Sequence, residues 1–299
     1  MNILVTGANG QLGTELRAAA AGSGNHYVFS DVNTVPGRET VYLDITNIDA
    51  VRITAESEHI DAILNCAGYT DVEKAEDDAA FADLLNHVAV ANLAAVAKER
   101  GAVLVHLSSD YVFDGRSSVP YREDDVKNPT CAYGATKYAG ECAVLESGCK
   151  YLIFRTAWMY STHGRNFVRT IRRLASEREQ VKVVFDQTGS PTSARELARF
   201  LVGVVDGGGL AKTGVYHYSG EGVCSWYDFA LEIVALSGCR GRIVPCRTAE
   251  FPSKVHRPAY SVLDKSLVKK TFGIEIPHWK DSLRDCIRRM DAPSASDSK

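Results

Sequence analysis

The run Asn2-Ile3-Leu4-Val5-Thr6-Gly7-Ala8-Asn9-Gly10-Gln11-Leu12-Gly13 is followed by Glu15-Leu16-Arg17-Ala18-Ala19-Ala20. Its first half is an apolar strand, and the residues after it are strong helix formers. Glycines 7, 10 and 13 stand between the two. Strand, glycine-rich turn and helix in that order give a dinucleotide fingerprint its physical meaning. One glycine makes the tight turn, one lets a pyrophosphate approach the backbone, and one packs the helix on the strand. The helix N-terminus then offers unpaired N–H groups to phosphate. Asn9, Gln11 and Leu12 lie within the turn and join Gly7, Gly10 and Gly13 as candidate cofactor-binding residues.

Outward from this turn the pattern repeats. Tyr27-Val28-Phe29-Ser30-Asp31 reads as a second strand ending in an acid, 31 − 13 = 18 residues after Gly13. That is close to the roughly 20 expected of a ribose-binding carboxylate. An acid there accepts from a 2′-hydroxyl and repels a 2′-phosphate, which favours NADH. Arg38 nearby favours the opposite, so NADH and NADPH both stay open. Asp31 also suits the start of a turn with Asn33 and Pro36.

Val41-Tyr42-Leu43-Asp44-Ile45-Thr46 is a third strand, which would bring Asp44 and Ile45 near the adenine. A fourth, Ala62-Ile63-Leu64-Asn65-Cys66-Ala67-Gly68, ends in small residues that let backbone approach a ligand. Ala67, Gly68 and Tyr69 are therefore candidates as well. Residues 79–100 are alanine-rich with helical periodicity. Val103-Leu104-Val105-His106-Leu107 is a fifth strand, closed by Ser108-Ser109-Asp110-Tyr111, and Tyr151-Leu152-Ile153-Phe154-Arg155-Thr156 is a sixth. This alternation predicts an α/β fold, a doubly wound parallel Rossmann sheet with ligands at the carboxyl ends of its strands.

The pattern breaks after residue 160. A basic helix over 165–178, a strand over 181–185 and the turn-rich Asp186-Gln187-Thr188-Gly189-Ser190-Pro191-Thr192 follow. A helix near 193–205 and the strand Val215-Tyr216-His217-Tyr218 suit a return to the main sheet. Residues 1–160 and about 193–220 are thus expected to form the dinucleotide-binding domain. Residues about 161–192 and 221–290 are expected to form a smaller C-terminal substrate-binding domain, with a frayed Pro/Ser/Asp-rich tail at 291–299.

Tyr133 and Lys137 are four apart, on the same face of a helix expected to start after Asn128-Pro129 and end near Gly148. A free phenol titrates at about 10. A nearby ammonium stabilises the phenolate and would make the tyrosine a proton donor near neutral pH. The same spacing also describes a surface helix with a snorkelling lysine.

Lys+Arg 34 against Asp+Glu 37 gives a net charge of −3, which argues against a nucleic-acid partner. No apolar run approaches the roughly 18 residues of a membrane helix. No basic leader precedes the first strand, so a cytoplasmic protein with no membrane partner is expected. The eight cysteines form no C-x-x-C and fit reduced thiols. The eight histidines show no ligand spacing, and no metal site is expected from the residues.

The glycine-rich turn, Asn65-Cys66-Ala67-Gly68, Ser108-Ser109 and Tyr133-x-x-x-Lys137 together resemble the extended short-chain dehydrogenase/reductases. Longer strings narrow this: Tyr69-Thr70-Asp71-Val72-Glu73-Lys74-Ala75-Glu76, Ser109-Asp110-Tyr111-Val112-Phe113-Asp114-Gly115, Phe154-Arg155-Thr156-Ala157-Trp158, Gly222-Val223-Cys224-Ser225-Trp226 and Arg257-Pro258-Ala259-Tyr260-Ser261-Val262-Leu263-Asp264. To about residue 290 the chain resembles the dTDP-4-dehydrorhamnose reductase family. The resemblance implies NADPH- or NADH-dependent reduction of the C4 ketone of a dTDP-sugar. Tyr133 would be the acid, Lys137 would lower its pKa and hold the nicotinamide ribose, and Ser109 would hydrogen-bond the ketone oxygen. Substrate contacts would fall on Thr70, Val72, Ser109, Asp110, Tyr111 and Trp158, with Arg257 on the diphosphate. Trp158 suits a core aromatic equally, and Asn166 and Gln187 suit caps or turns.

Some members hold magnesium through glutamates at a homodimer interface. Glu15 matches the first of these, but Arg195 stands where another is expected, with Glu196 one position on. The magnesium set is incomplete, and a homodimer stays open. Two alternatives share the fold. One is another nucleotide-sugar epimerase or reductase; a dehydratase is disfavoured because Tyr111, not glutamate, follows Asp110. The other is a silent regulatory binding subunit.

Overall fold

A computed structural model describes residues 1–292. The first half runs β1 (Asn2–Thr6), α1 (Gln11–Ala20), β2 (His26–Asp31), β3 (Val41–Tyr42), α2 (Ile48–Ser57), β4 (Ala62–Asn65), α3 (Val72–Asp77), α4 (Ala79–Asp83), α5 (Ala89–Arg100), β5 (Val103–Ser109), α6 (Ala132–Ser147) and β6 (Lys150–Thr156). The second half supplies β7 (Met159–Tyr160), α7 (Phe167–Glu177), β8 (Gln180–Val184), β9 (Thr188–Gly189), β10 (Thr192–Ser193), α8 (Ala194–Asp206), β11 (Gly214–His217), β12 (Cys224–Ser225), α9 (Trp226–Ser237), β13 (Arg242–Cys246), α10 (Ser266–Phe272) and α11 (Trp279–Asp291).

Seven strands form one sheet in the order β11-β6-β5-β4-β1-β2-β3, and every pairing in it is parallel. The order reverses between β1 and β4, so their carboxyl ends border the crevice where such sheets bind ligands. Both faces are covered, which explains why the strands are continuous apolar runs. Ile3 and Val5 point into one core with Leu16 of α1, Leu197 and Leu201 of α8 and Val268 of α10. Leu4 points into the other, with Val51 of α2, Leu93 of α5 and Val144 of α6. A third core gathers Val168, Val181, Phe229, Ile243 and Leu283 from α7, β8, α9, β13 and α11.

Several elements differ from the sequence expectation. The third strand is two residues long, because Leu43 and Ile45 turn into the core (3% and 4% exposed). Between them Asp44 accepts from the Thr46 amide at 2.9 Å and closes a turn. The stretch 79–100 is one helical run broken by a π-helical turn at Leu84–Val88. By length and composition it is apolar enough to cross a membrane, although no such run was expected; here Val90, Leu93 and Ala97 bury in the core. Helix α10, expected in the smaller domain, packs on the main sheet: Phe272 meets the rings of Tyr216 and Phe200 at 5.1 and 5.4 Å. Asp291, placed in the frayed tail, is the last residue of α11, and 293–299 lie outside the described residues.

Candidate active site

Gly7 adopts φ +64°, and a Cβ there would lie 2.7 Å from the Ala67 amide nitrogen. A Cβ on Gly13 would meet the Gly7 carbonyl and the Ala8 backbone. These two positions require glycine for different reasons: a left-handed turn pressed on β4's end, and close packing of α1 on the turn. Gly10 is the N-cap of α1 and supplies no capping side chain, so the first amides of the helix remain available to an anion. Leu12 is a core residue at 5% exposure and brings only its backbone to the turn. Gln11 reaches away, accepting from Asn166 Nδ2 at 3.0 Å, while Asn166 caps α7.

Asp31 is engaged inside the protein. Its Oδ2 accepts from the Asn9 amide at 3.0 Å and its Oδ1 from the Asn33 amide at 2.9 Å. The carboxylate therefore fastens the glycine-rich turn to the end of β2. The expected ribose-binding acid thus also bonds two backbone amides, one on each oxygen.

Helix α6 is set against its neighbours by two glycines. A Cβ on Gly134 would overlap the Tyr111 carbonyl oxygen, and one on Gly140 would overlap that of Asn86. Its rotation is held by Glu141, buried and paired bidentately with buried Arg155 at 2.9 and 2.7 Å. Lys137, one turn before Glu141, is buried and donates to the Leu107 carbonyl at 2.6 Å. Its Nζ lies 3.9 Å from where a Gly68 Cβ would be. Gly7 is thus pressed against Ala67, and Lys137 lies beside the next residue, Gly68. Burial lowers the lysine to about 8, against the pull of Glu141.

The Tyr133 ring meets Tyr111 edge-on at 5.4 Å. Burial pushes the phenol up to about 12; the Ser109 hydroxyl pulls the other way, and Asp110 adds to the rise. This departs from the expectation that Lys137 holds the phenol down. The ammonium is claimed by a backbone carbonyl, and the tyrosine stays protonated at neutral pH.

Ser109 donates to Asp110 Oδ1 at 2.9 Å and accepts from the Tyr111 amide at 3.2 Å. Asp110 is buried, its carboxyl raised to about 6 by desolvation, and its Oδ2 has no partner among the described residues. Arg257 donates to Glu73 at 2.8 Å, and its charge lies near enough to the buried Tyr111 phenol to work against the rise that burial causes. Trp158 has φ +50° and stacks on Trp226 with ring centroids 3.5 Å apart. A non-glycine residue held at positive φ stores strain of the kind that collects at ligand sites.

The structure therefore joins Ser109, Asp110, Tyr111, Tyr133 and Arg257 into one group, with Lys137 reached through Gly68. It does not join all the candidates. Thr70 is exposed, Val72 begins α3, Asp44 closes its own turn, and Ile45 is in the core. One positioning residue was missed. Asn86, fully buried in the π-helical turn, accepts from the Tyr69 amide at 2.9 Å. It also donates to the Tyr69 carbonyl and to Thr136 on α6 at 3.1 and 3.2 Å. An asparagine inside an apolar helical run was the available signal, shared with Asn92 further along it, since a buried amide must find partners.

Comparison with known proteins fits this geometry. Residues 1–292 match the model of the RmlD substrate binding domain family. The chain belongs to the RmlD family. A dTDP-4-dehydrorhamnose reductase of Burkholderia thailandensis is 42% identical, over 97% of this chain and 99% of that protein. The crystal structure of a dTDP-4-dehydrorhamnose reductase from Clostridium acetobutylicum superposes with a TM-score of 0.91 at 41% identity, covering 98% of this chain and 100% of that one. The Bacillus anthracis enzyme, solved in complex with NADP, gives 0.88 at 34% identity, covering 97% and 99%.

The glutamate that the resemblance matched to a magnesium ligand is engaged inside the chain. Glu15 is buried, and both its oxygens receive the Arg289 guanidinium at 3.2 and 3.3 Å. Arg195 pairs with Asp285 at 3.0 Å. Among the described residues no group of three or more His, Cys, Asp or Glu could hold a metal ion. A guanidinium where a divalent cation would sit does not fit magnesium.

Proposed function

We propose that this chain reduces the C4 ketone of dTDP-4-dehydro-L-rhamnose to give dTDP-L-rhamnose, with NADPH as hydride donor and NADH as the alternative. The family membership supports the reaction, and the NADP bound to the Bacillus anthracis protein supports the cofactor. The observation that carries the reading is the run of neighbours from Gly7 through Ala67 and Gly68 to Lys137, one helical turn from Tyr133. It links the expected phosphate-binding turn to the expected proton donor. The cradle suits a dinucleotide: α1 is uncapped, and a Cβ at Gly7 or Gly13 would fill it.

Bound NADPH supplies the hydride for C4. The chain's own residues supply the rest. Tyr133, protonated at neutral pH, gives its proton to the ketone oxygen as charge develops there, and general acid help of this kind is worth roughly 10²–10⁴-fold. The Ser109 hydroxyl, already beside the phenol, steadies the same oxygen. Lys137 holds the ribose of the nicotinamide half and keeps positive charge near the phenolate that remains. The uncapped first amides of α1, among them those of Gln11 and Leu12, hold the pyrophosphate, with Asn9 beside them in the turn. Arg257 leaves Glu73 to take the diphosphate of the sugar nucleotide, for which its fork is well shaped. Asp110, Tyr111 and Trp158 border the sugar, and Thr70 and Val72, outside the group that the structure joins, are assigned to it by the family resemblance alone. Eight free cysteines support a reducing, cytoplasmic setting.

The test is to supply dTDP-4-dehydro-L-rhamnose with NADPH or NADH and follow the nicotinamide absorbance together with the product. One-for-one consumption of reduced cofactor and formation of dTDP-L-rhamnose are expected. Conversion of the sugar without net cofactor consumption would mark an epimerase. Binding without conversion would mark a silent subunit.

A further inference from the structure

Two arginines flank the end of β2, and neither is in an ion pair among the described residues. Arg17 lies on α1, one turn beyond Gly13, with its guanidinium 4.1 Å over the Phe29 ring of β2. Its Nε is buried and has no hydrogen-bond partner. Arg38, on the loop after β2, donates to Thr14 Oγ1 in the first turn of α1 at 3.0 Å. Thr40 Oγ1 stands between Arg17 Nη2 at 3.4 Å and Asn9 Nδ2 at 3.5 Å. The arginines are close enough that Arg38's charge, after burial, lowers the proton affinity of Arg17, with only exposed Glu39 opposing.

Two neighbouring cations without a carboxylate partner, ringed by Thr14, Thr40 and Asn9, have the chemistry of an unfilled anion site. The place is the corner where the glycine-rich turn meets β2, beside which an adenosine ribose lies in sheets of this kind. Asp31 at the same corner accepts from the Asn9 and Asn33 amides and keeps its negative charge, so the two guanidiniums have to outweigh one carboxylate for a phosphate to settle there.

We propose that Arg17 and Arg38 form a clamp for the 2′-phosphate of NADPH and set this chain's preference for NADPH over NADH. The clamp rests on the dinucleotide-binding reading of the glycine-rich turn. Thr14 holds Arg38 in place, and Phe29 supports Arg17 from below. The clamp adds affinity only where a 2′-phosphate is present, so the rest of the dinucleotide site works without it.

The experiment measures binding of 2′,5′-ADP, 3′,5′-ADP and 5′-AMP to the full chain by titration calorimetry, without substrate or turnover. The wild type is expected to bind 2′,5′-ADP at least about ten-fold more tightly than 5′-AMP, the worth of one strong charge-assisted contact. The 3′-phosphate should bring no such gain. The gain should shrink in Arg17→Leu and in Arg38→Ala and vanish when both are changed, with 5′-AMP binding kept within about two-fold in each variant. Arg38→Lys, which keeps the charge, should retain part of the gain. A wild type that binds 2′,5′-ADP and 5′-AMP equally, or a double variant that still prefers 2′,5′-ADP, would overturn the clamp. NADH-driven turnover separates the two readings. If it persists while the gain is missing, only the clamp fails; if it is absent while the gain follows the arginines, only the reductase activity fails.

Discussion

The Lys137 ammonium donates to the Leu107 carbonyl at 2.6 Å and not to the Tyr133 phenol that shares its helix face. Holding this charge in the interior lowers the lysine to about 8. As pH rises through that value the charge near the phenol is lost, so kcat/KM for the reduction should fall above about pH 8. The effect on stability has the opposite sign. The folded value lies below the ordinary 10.5, so between the two the unfolded chain binds more protons than the folded one. Lys137's contribution to stability should therefore improve from pH 8 towards 10.5 while turnover declines. A pH–rate profile beside thermal melts at the same pH values checks both directions. A rate that stays level to pH 10 would count against the assigned role of the lysine.

Gly134 is a helix-interior glycine whose replacement should harm the protein. Alanine normally gains about 1 kcal/mol over glycine within a helix. Here its Cβ would overlap the Tyr111 carbonyl, and backbone does not move aside as a flexible side chain would. Gly134→Ala should destabilise by about 1–3 kcal/mol, as overpacking does. It should also cut kcat, because Tyr133 is its immediate neighbour. Chemical denaturation and steady-state rates test this together.

Asn86 joins the Tyr69 backbone to Thr136 on α6. Asn86→Ala leaves buried polar groups unpaired, a loss of about 1–3 kcal/mol per group. Because the loop carrying Gly68 and Tyr69 would loosen, KM for the dinucleotide should rise more than the melting temperature alone explains. Unchanged KM with reduced stability would make Asn86 a purely structural residue.

Glu15 is paired with Arg289, so treating the enzyme with a chelator should leave its rate unchanged, and added magnesium should not raise it. Arg289→Ala would strand the buried Glu15 carboxylate and should cost about 3 kcal/mol of stability. Activity assays after chelation, and melts of the variant, measure the two effects. A rate that falls on chelation and returns with magnesium would show that a metal displaces the arginine.

What could be read from the sequence was mostly local. Residues 2–20 carry their own strand, turn and helix, and these form as the residues dictate. The Tyr133 and Lys137 pair was visible because helical periodicity puts residues four apart on one face. Asp31 shows the limit of spacing: its distance from Gly13 suggests a ribose-binding acid, but carries no sign that the Asn9 and Asn33 amides would bond it. Contacts distant in the chain left no periodic trace. Asn86 meets Thr136 across 50 residues, and Arg289 meets Glu15 across 274. Phe272 sits in a stretch whose short, broken elements resemble those of the smaller domain, and only its packing with Phe200 and Tyr216 brings it to the main sheet.

The most direct test is Tyr133→Phe, followed by NADPH oxidation with dTDP-4-dehydro-L-rhamnose and by NADPH binding in the same preparation. The ring and its edge-on contact with Tyr111 are kept, and only the transferable proton is lost. Turnover should fall by about 10²-fold or more, with NADPH affinity nearly unchanged. Wild-type turnover in the phenylalanine variant would contradict the assignment of Tyr133 as the proton donor.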